Sequence, residues 1–255
     1  MRMITDLQKA SVWKRISAAL FDFIILAIVS VGVATLLSLT FGYNDQIDKL
    51  TGAYAEYEGR YGVEFQISQE EYTAMSDAQR ENYDTAYNAL VQDDSVIKTY
   101  NLVMNMTLLI ITFGILIGVL IIELIVPLLL GNGQTLGKKI FGVALMRTDG
   151  VRIRPLQLFV RTVLGKFTIE LMIPVYIIIM IFFNSIGIVG ITVLAALLLI
   201  ELICLAKSKT VSLLHDVLGC TVAVDMASQM IFNSREELLA YVTKVHSERA
   251  AHSDY

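Results

Sequence analysis

Cysteine, histidine, proline and tryptophan are scarce in this 255-residue chain, which holds two, three, three and one of them respectively. Cys204 closes an apolar run and Cys220 lies beyond it, in no metal or redox spacing, so a disulfide framework and a zinc site are excluded and the thiols are expected to stay reduced. His246 and His252 fall in a polar tail, where solvation is the expectation, and no metal site is predicted. His215 and Asp216 are adjacent, but no Ser or Cys nucleophile with an oxyanion-hole context accompanies them, which argues against a catalytic pair. Gly131, Gly133 and Gly137 have no preceding strand and no following Lys-Ser/Thr pair, so they do not form a phosphate cradle. No enzyme activity, cofactor or metal is expected. With 20 Lys and Arg against 24 Asp and Glu, the chain also lacks the basic footprint of a nucleic-acid binder.

Apolar residues are abundant. They make up 55% of the chain against 17% charged, and the mean hydropathy of +0.63 places it with integral membrane proteins. Four apolar segments, at 16–41, 102–130, 167–183 and 187–206, approach or exceed the roughly 20 residues a spanning helix needs. The third is short and holds Pro174; Asn184 and Ser185 leave only a tight turn before the fourth. The first follows a basic flank but is longer than a signal-peptide core and lacks an A-x-A site, so it is expected to be retained.

Loop charges orient these spans. The lead within 1–41 carries Arg2, Lys9, Lys14 and Arg15 against Asp6, and segment 131–166 carries seven bases against Asp149. By the positive-inside rule both are cytoplasmic. Segment 42–101 holds twelve acids and four bases and is expected to face outward. Alternation returns segment 207–255 to the cytoplasm. The prediction is a multi-pass protein of the cell membrane with both termini cytoplasmic.

The outward segment contains eight of the eleven tyrosines, and Ser68 with Glu71 forms a capping-box pattern ahead of helix formers at 69–91. This predicts a small extracytoplasmic helical insertion, either a partner platform or a shield for the helix ends. In the inward segment, Asp149-Gly150 is a hairpin turn signal between 143–147 and 151–154. In the tail, Ser234 with Glu237 caps a helix whose Leu238, Leu239, Tyr241, Val242 and Val245 suggest an amphipathic face for a membrane, a partner or the hairpins.

The stretch from Thr135 to Met146 resembles the stretch from Ser212 to Val224: a hydroxyl, Leu, a β-branched residue and Gly recur in register before a β-rich run. Glu123 and Glu201 precede the two copies; Arg15 with Asp22, and Arg161 with Glu170, open the two halves. The expected fold is an all-α membrane protein with four transmembrane helices in a two-plus-two parallel repeat and a small cytoplasmic β-hairpin or sheet.

In that topology Asp22, Glu123, Glu170 and Glu201 all lie in the cytoplasmic half of the bilayer, Asp22 about 10 Å inside the mouth. Each would cost about 2.5–3.5 kcal/mol facing lipid, so they must face a shared vestibule or be pinned by bases, with Arg15, Arg161 and Lys166 as candidates. A vestibule would handle cations or protons; pins would lock the helix mouths, Arg15 with Asp22 foremost. For Asp216 a helix cap or a salt bridge to Lys138, Lys139 or Arg15 is expected.

Arg15, Asp22, the stretch from Gly133 to Lys139 leading to Asp149-Gly150, and Leu214-His215-Asp216 before Gly219 and Thr221 together resemble the RDD family of small multi-pass bacterial membrane proteins. The likeness covers about 10–42 and 102–225. Its signature arginine and two aspartates would be Arg15, Asp22 and Asp216; Glu170 and Glu201 are not signature residues. The resemblance implies a bacterial cell-membrane protein, with some members linked to sodium or proton exchange. The expected function is a small transporter or exchanger of monovalent cations or protons. The alternative is a non-transporting membrane subunit or scaffold that binds a protein partner through its outer cap or cytoplasmic face. Four helices are few for an alternating-access carrier, so a transporter is expected to form a homo-oligomer.

Overall fold

A computed structural model describes residues 7–182, 187–207 and 212–252. The turn expected at Asn184 and Ser185 lies outside the described residues, as do Arg2 and Asp6 of the lead. The protein is mostly helical with one two-stranded sheet, and it divides into two compact units, 30–115 and 1–29 with 116–255.

Among the described residues, three helices are long and apolar enough to cross a membrane: α1 (Val12–Thr40), α5 (Asp94–Leu130) and α8 (Ile188–Lys207). Their surfaces fit a lipid solvent. Leu20, Phe23, Ile24, Ile28, Val31 and Leu36 of α1 are exposed, and α8 buries no residue at all. In water such a face would be an association hazard. The expected third span is not among the three. Its residues 167–182 belong to a longer helix, α7, which starts as Pro155–Phe159, widens to π winding over Val160–Met172 and returns to α winding over Ile173–Phe182. Arg161, Lys166 and Glu170 on this helix interrupt its apolar run.

In the unit 30–115, α2 (Tyr43–Tyr61) ends at Gly62, whose N–H bonds the Glu58 carbonyl at φ 63°. The helix formers at 69–91 make two helices, α3 (Gln69–Ala74) and α4 (Asp77–Gln92), each with its own capping box, Ser68 with Glu71 and Ser76 with Gln79. Ser76 adopts an extended conformation and caps α4, which breaks the run. Tyr57, Leu90 and Val96 form the core here. Phe65 presents its ring at steep angles to Tyr54, Tyr83 and Tyr87 at centroid distances of 6.0, 5.8 and 6.3 Å. Tyr43 Oη and Thr107 Oγ1 meet at 2.9 Å, tying α2 to α5.

The second unit is built around two short helices, α6 (Leu136–Ile140) and α9 (Leu214–Leu218), and two strands, β1 (Val143–Arg147) and β2 (Thr221–Asp225). The strands pair antiparallel, with Leu145 opposite Ala223 at the centre. This corrects the expected local hairpin. The Asp149-Gly150 turn does form, with Gly150 N–H bonding Arg147 O at 3.0 Å, but the returning chain makes only one bridge, Met146 with Arg152. Arg152 N–H instead donates to Phe232 O at 2.8 Å, and Pro155 ends further pairing because it has no N–H. β1 therefore finds its partner 78 positions later. Val143, Leu145 and Ala223 bury one face against Leu158; Ala144, Met146, Val222 and Val224 bury the other. In the tail helix α10 (Arg235–His252), Leu239, Tyr241 and Val242 are exposed. Its start is capped as expected, with Glu237 N–H donating to Ser234 Oγ at 3.2 Å.

Candidate functional site

Asp22 is a buried carboxylate on α1, and two donors from the start of α6 satisfy it. Thr135 Oγ1 donates to Oδ2, and the Gly137 N–H donates to Oδ1 at 2.8 Å. The helix N-terminus leaves such amides without partners, and its dipole favours a negative charge. Gly137 is required by the closeness of this approach: a Cβ there would come within 2.4 Å of the Ala18 carbonyl oxygen and 2.9 Å of the Asp22 carboxyl carbon. Asp22 therefore pins α1 to α6 through neutral donors. Arg15, expected to pair with it, lies instead 4.0 Å from Asp216.

Asp216 sits on α9 and is fully enclosed. Arg161 Nε donates to Oδ1 at 2.8 Å and Thr221 Oγ1 to the same oxygen at 3.0 Å. Burial opposes the carboxylate, yet the Arg161 guanidinium and then His215 outweigh it and hold the carboxyl well below the usual range. Of the lysines expected beside Asp216, Lys138 is placed elsewhere. Lys138 lies 3.5 Å from Glu123, and Lys166 also donates to Glu123. Burial pulls the Lys138 ammonium down to about 8 in spite of Glu123. Thr162 adds a bond to the Glu123 backbone carbonyl at 3.0 Å, locking α7 against α5 where α5 itself winds as a π-helix over Leu120–Ile125.

At the start of α9 two carboxylates take the place that Asp22 holds at α6. The His215 N–H donates to Glu170 Oε1 at 2.8 Å and the Leu214 N–H to Glu201 Oε2 at 3.1 Å. No side chain of its own caps α9, because Leu213 occupies the cap position held in α6 by Thr135. His215 Nδ1 also lies 2.7 Å from Glu170 Oε2, and Glu201 meets Glu170 carboxyl to carboxyl. Glu201 Oε1 is buried without a donor. Burial and the Arg161 charge pull the His215 imidazole below its usual value, which leaves it neutral at pH 7. Gly165 makes the contact possible, since a Cβ there would stand 2.8 Å from both His215 Cα and Cβ.

Asp22, Glu123 and Glu170 line one cavity of about 350 Å³ together with Arg15, Lys138, Arg161, Lys166, His215 and Asp216. Glu201 does not line it. It faces a second cavity of about 220 Å³, walled by Ile169, Pro174, Leu194, Leu197 and Leu198, and Glu170 lines both. Among the described residues no group of three or more His, Cys, Asp and Glu is arranged to hold a metal. Thr162 was not visible in the sequence and Thr221 stood out only as a motif position, since a buried threonine carries no distinguishing signal. The thirteen-residue π stretch was equally invisible, although a lysine five after Arg161 and an acid five after Gly165 match its i→i+5 period.

Long lipid-compatible helices whose ends are cross-linked by buried charge define a helical membrane-type protein. The RDD family profile matches residues 9–219, and the chain belongs to the RDD family. Arg15, Asp22 and Asp216, the residues expected to carry the family signature, all line the 350 Å³ cavity. Searches of curated proteins and of solved structures returned no match.

Proposed function

We propose that the protein is an exchanger of protons or monovalent cations across a bacterial cell membrane, and that Glu170, His215 and Glu201 carry the exchange while Asp22, Glu123 and Asp216 hold the helices. The position of Glu170 carries this reading: its carboxyl lines both cavities and contacts His215 on one side and Glu201 on the other. The three groups form a continuous line of proton-accepting atoms. The other acids are already occupied, Asp22 by Thr135 and Gly137, Glu123 by two lysines, and Asp216 by two arginines and Thr221.

The reading takes α7 as a fourth span and the chain as a two-plus-two repeat with cytoplasmic termini. Supporting the repeat, Phe141 N–H bonds Gly137 O and Gly219 N–H bonds His215 O, both at 3.0 Å. Gly142 and Cys220 follow in the left-handed conformation at φ 65° and 51°. Gly137 and His215, the residues bonded to Asp22 and Glu170, stand 78 positions apart, as do Leu145 and Ala223. A twofold axis along the membrane normal would pass through that central strand pair. On that axis Gly142 corresponds to Cys220, one residue on from the Gly219 of the sequence motif. A carrier of this size would work as a homo-oligomer.

Purified protein in proteoliposomes tests the reading under sodium, potassium and proton gradients. Gradient-driven flux above that of protein-free liposomes is expected; flux equal to theirs in all three gradients would sink it. A scaffold role is the second reading, favoured by the aromatic cluster around Phe65, where Tyr87 is 49% exposed. It requires a stoichiometric partner on native membranes that is lost with Tyr87→Ala.

A further inference from the structure

The contacts around the 350 Å³ cavity are unequal in sign. Four bases are drawn to two acids: Lys138 and Lys166 to Glu123, Arg15 and Arg161 to Asp216. The remaining two acids are committed to other donors, Asp22 to a hydroxyl and a backbone N–H, Glu170 to His215. Formal charges on the lining balance, four of each sign, so the imbalance lies in placement. Two lining residues keep a buried atom without a hydrogen-bond partner: Glu123, whose Oε2 still has Lys138 Nζ 3.5 Å away, and Arg161. Arg161 Nη1 is buried and has no hydrogen-bond partner, on a residue only 3% exposed. A buried donor without a partner costs about 1–3 kcal/mol, more when charged, so structures that keep one usually supply an acceptor.

Arg161 also lies in the cavity wall, which combines these charges with Val12, Ile16, Ala19, Leu205 and Leu213. We propose that this cavity binds an anion, held by the Arg161 guanidinium with Arg15 behind it. The chemistry is that of a small halide or oxyanion, and it is shared by a free ion and by the phosphodiester of an acidic lipid whose chains would follow Ile16, Ala19 and Leu205. Guanidinium suits both, because its fixed fork of donors remains charged at any working pH. The two neighbouring cations push the Lys138 proton off beyond what burial does, and an anion relieves that repulsion.

The inference does not depend on exchange through Glu170, and its test reads binding, not flux. Full-length protein is purified in neutral detergent and stripped of lipid, and its thermal unfolding is followed with sodium chloride or sodium phosphate titrated at constant ionic strength against a bulky sulfonate. In parallel, phosphatidylglycerol is titrated against phosphatidylcholine. Saturable stabilisation by chloride or phosphate identifies a free-anion site; saturation by phosphatidylglycerol alone identifies a lipid headgroup site. Either result supports the proposal if Arg161→Lys weakens the midpoint at least tenfold, since lysine keeps a charge for Asp216 but not the spare nitrogen. Should Arg161→Lys fail to fold, Ala19→Phe fills the cavity mouth without touching an ion pair and is expected to weaken binding equally. No saturable stabilisation by any of the three probes, or unchanged midpoints in the folded variants, overturns the proposal.

Discussion

The starts of α6 and α9 solve one problem with different chemistry. Each is a five-residue helix followed by a left-handed residue and a buried strand, and each has an acid from a longer helix bonded to its second amide. At α6 the cap is Thr135, and a single carboxylate, Asp22, completes it through neutral donors. At α9 the cap position is Leu213, and the missing hydroxyl is replaced by a second carboxylate and an imidazole. The first arrangement gathers one ionisable group, held by a hydroxyl and an amide. The second gathers three, which is why exchange is assigned to α9 and clamping to α6.

The largest expected effect comes from the charge pair that supports α9. Asp216→Ala leaves Arg161 buried without its partner and is expected to cost about 3–5 kcal/mol, read as a lowered midpoint of thermal unfolding in detergent. Removing both groups recovers part of the loss; a double variant less stable than either single one would contradict the pairing.

Next, Asp22→Ala strips α6 of its only carboxylate cap and is expected to cost about 2–3 kcal/mol. Glu170→Ala is expected to cost less, because Glu201 still holds the Leu214 amide. Equal losses would erase the distinction between the two helices.

Acidification should separate them too. Burial in the fold lowers the proton affinity of His215 from its ordinary value of 6.5, so below that pH the unfolded chain binds the proton more tightly and stability falls as pH drops. His215→Gln should flatten the fall of the unfolding midpoint below pH 6.5, whereas Thr135→Ala should lower the midpoint through loss of a cap worth about 1 kcal/mol.

The smallest effects lie at the helix ends. A side chain at Gly142 meets nothing within 4 Å, so Gly142→Ala reports backbone strain alone, about 1–2 kcal/mol. Cys220→Gly relieves the same strain and should raise the midpoint slightly. A rise with Gly142→Ala would show that the left-handed turn is not what limits these connections.

Much of this architecture is legible in the sequence because it depends on local pattern. Apolar runs mark α1, α5 and α8, and Ser68 with Glu71 marks the start of α3 within a few residues of contact. The acids at 22, 123, 170 and 201 stand out because carboxylates in apolar runs need a reason. Their partners do not show, because Asp22 reaches Thr135 and Gly137 more than a hundred positions away. Spacing also misleads where winding changes. Arg15 and Asp22 stand seven residues apart and Arg161 and Glu170 nine, yet π winding takes in about one extra residue per turn, so both intervals span roughly two turns. The hairpin at Asp149 failed for a similar reason: a local turn signal specifies the turn, while the better-packed partner strand lies at 221–225.

The central claim is the division of labour among the carboxylates. It is tested most directly by gradient-driven cation and proton flux in proteoliposomes, normalised to folded protein, for Asp22→Asn and Glu201→Gln side by side. Asp22→Asn, which keeps an acceptor for the Gly137 amide, is predicted to retain flux per folded molecule, and Glu201→Gln to lose it. Flux abolished in Asp22→Asn and preserved in Glu201→Gln would contradict the assignment.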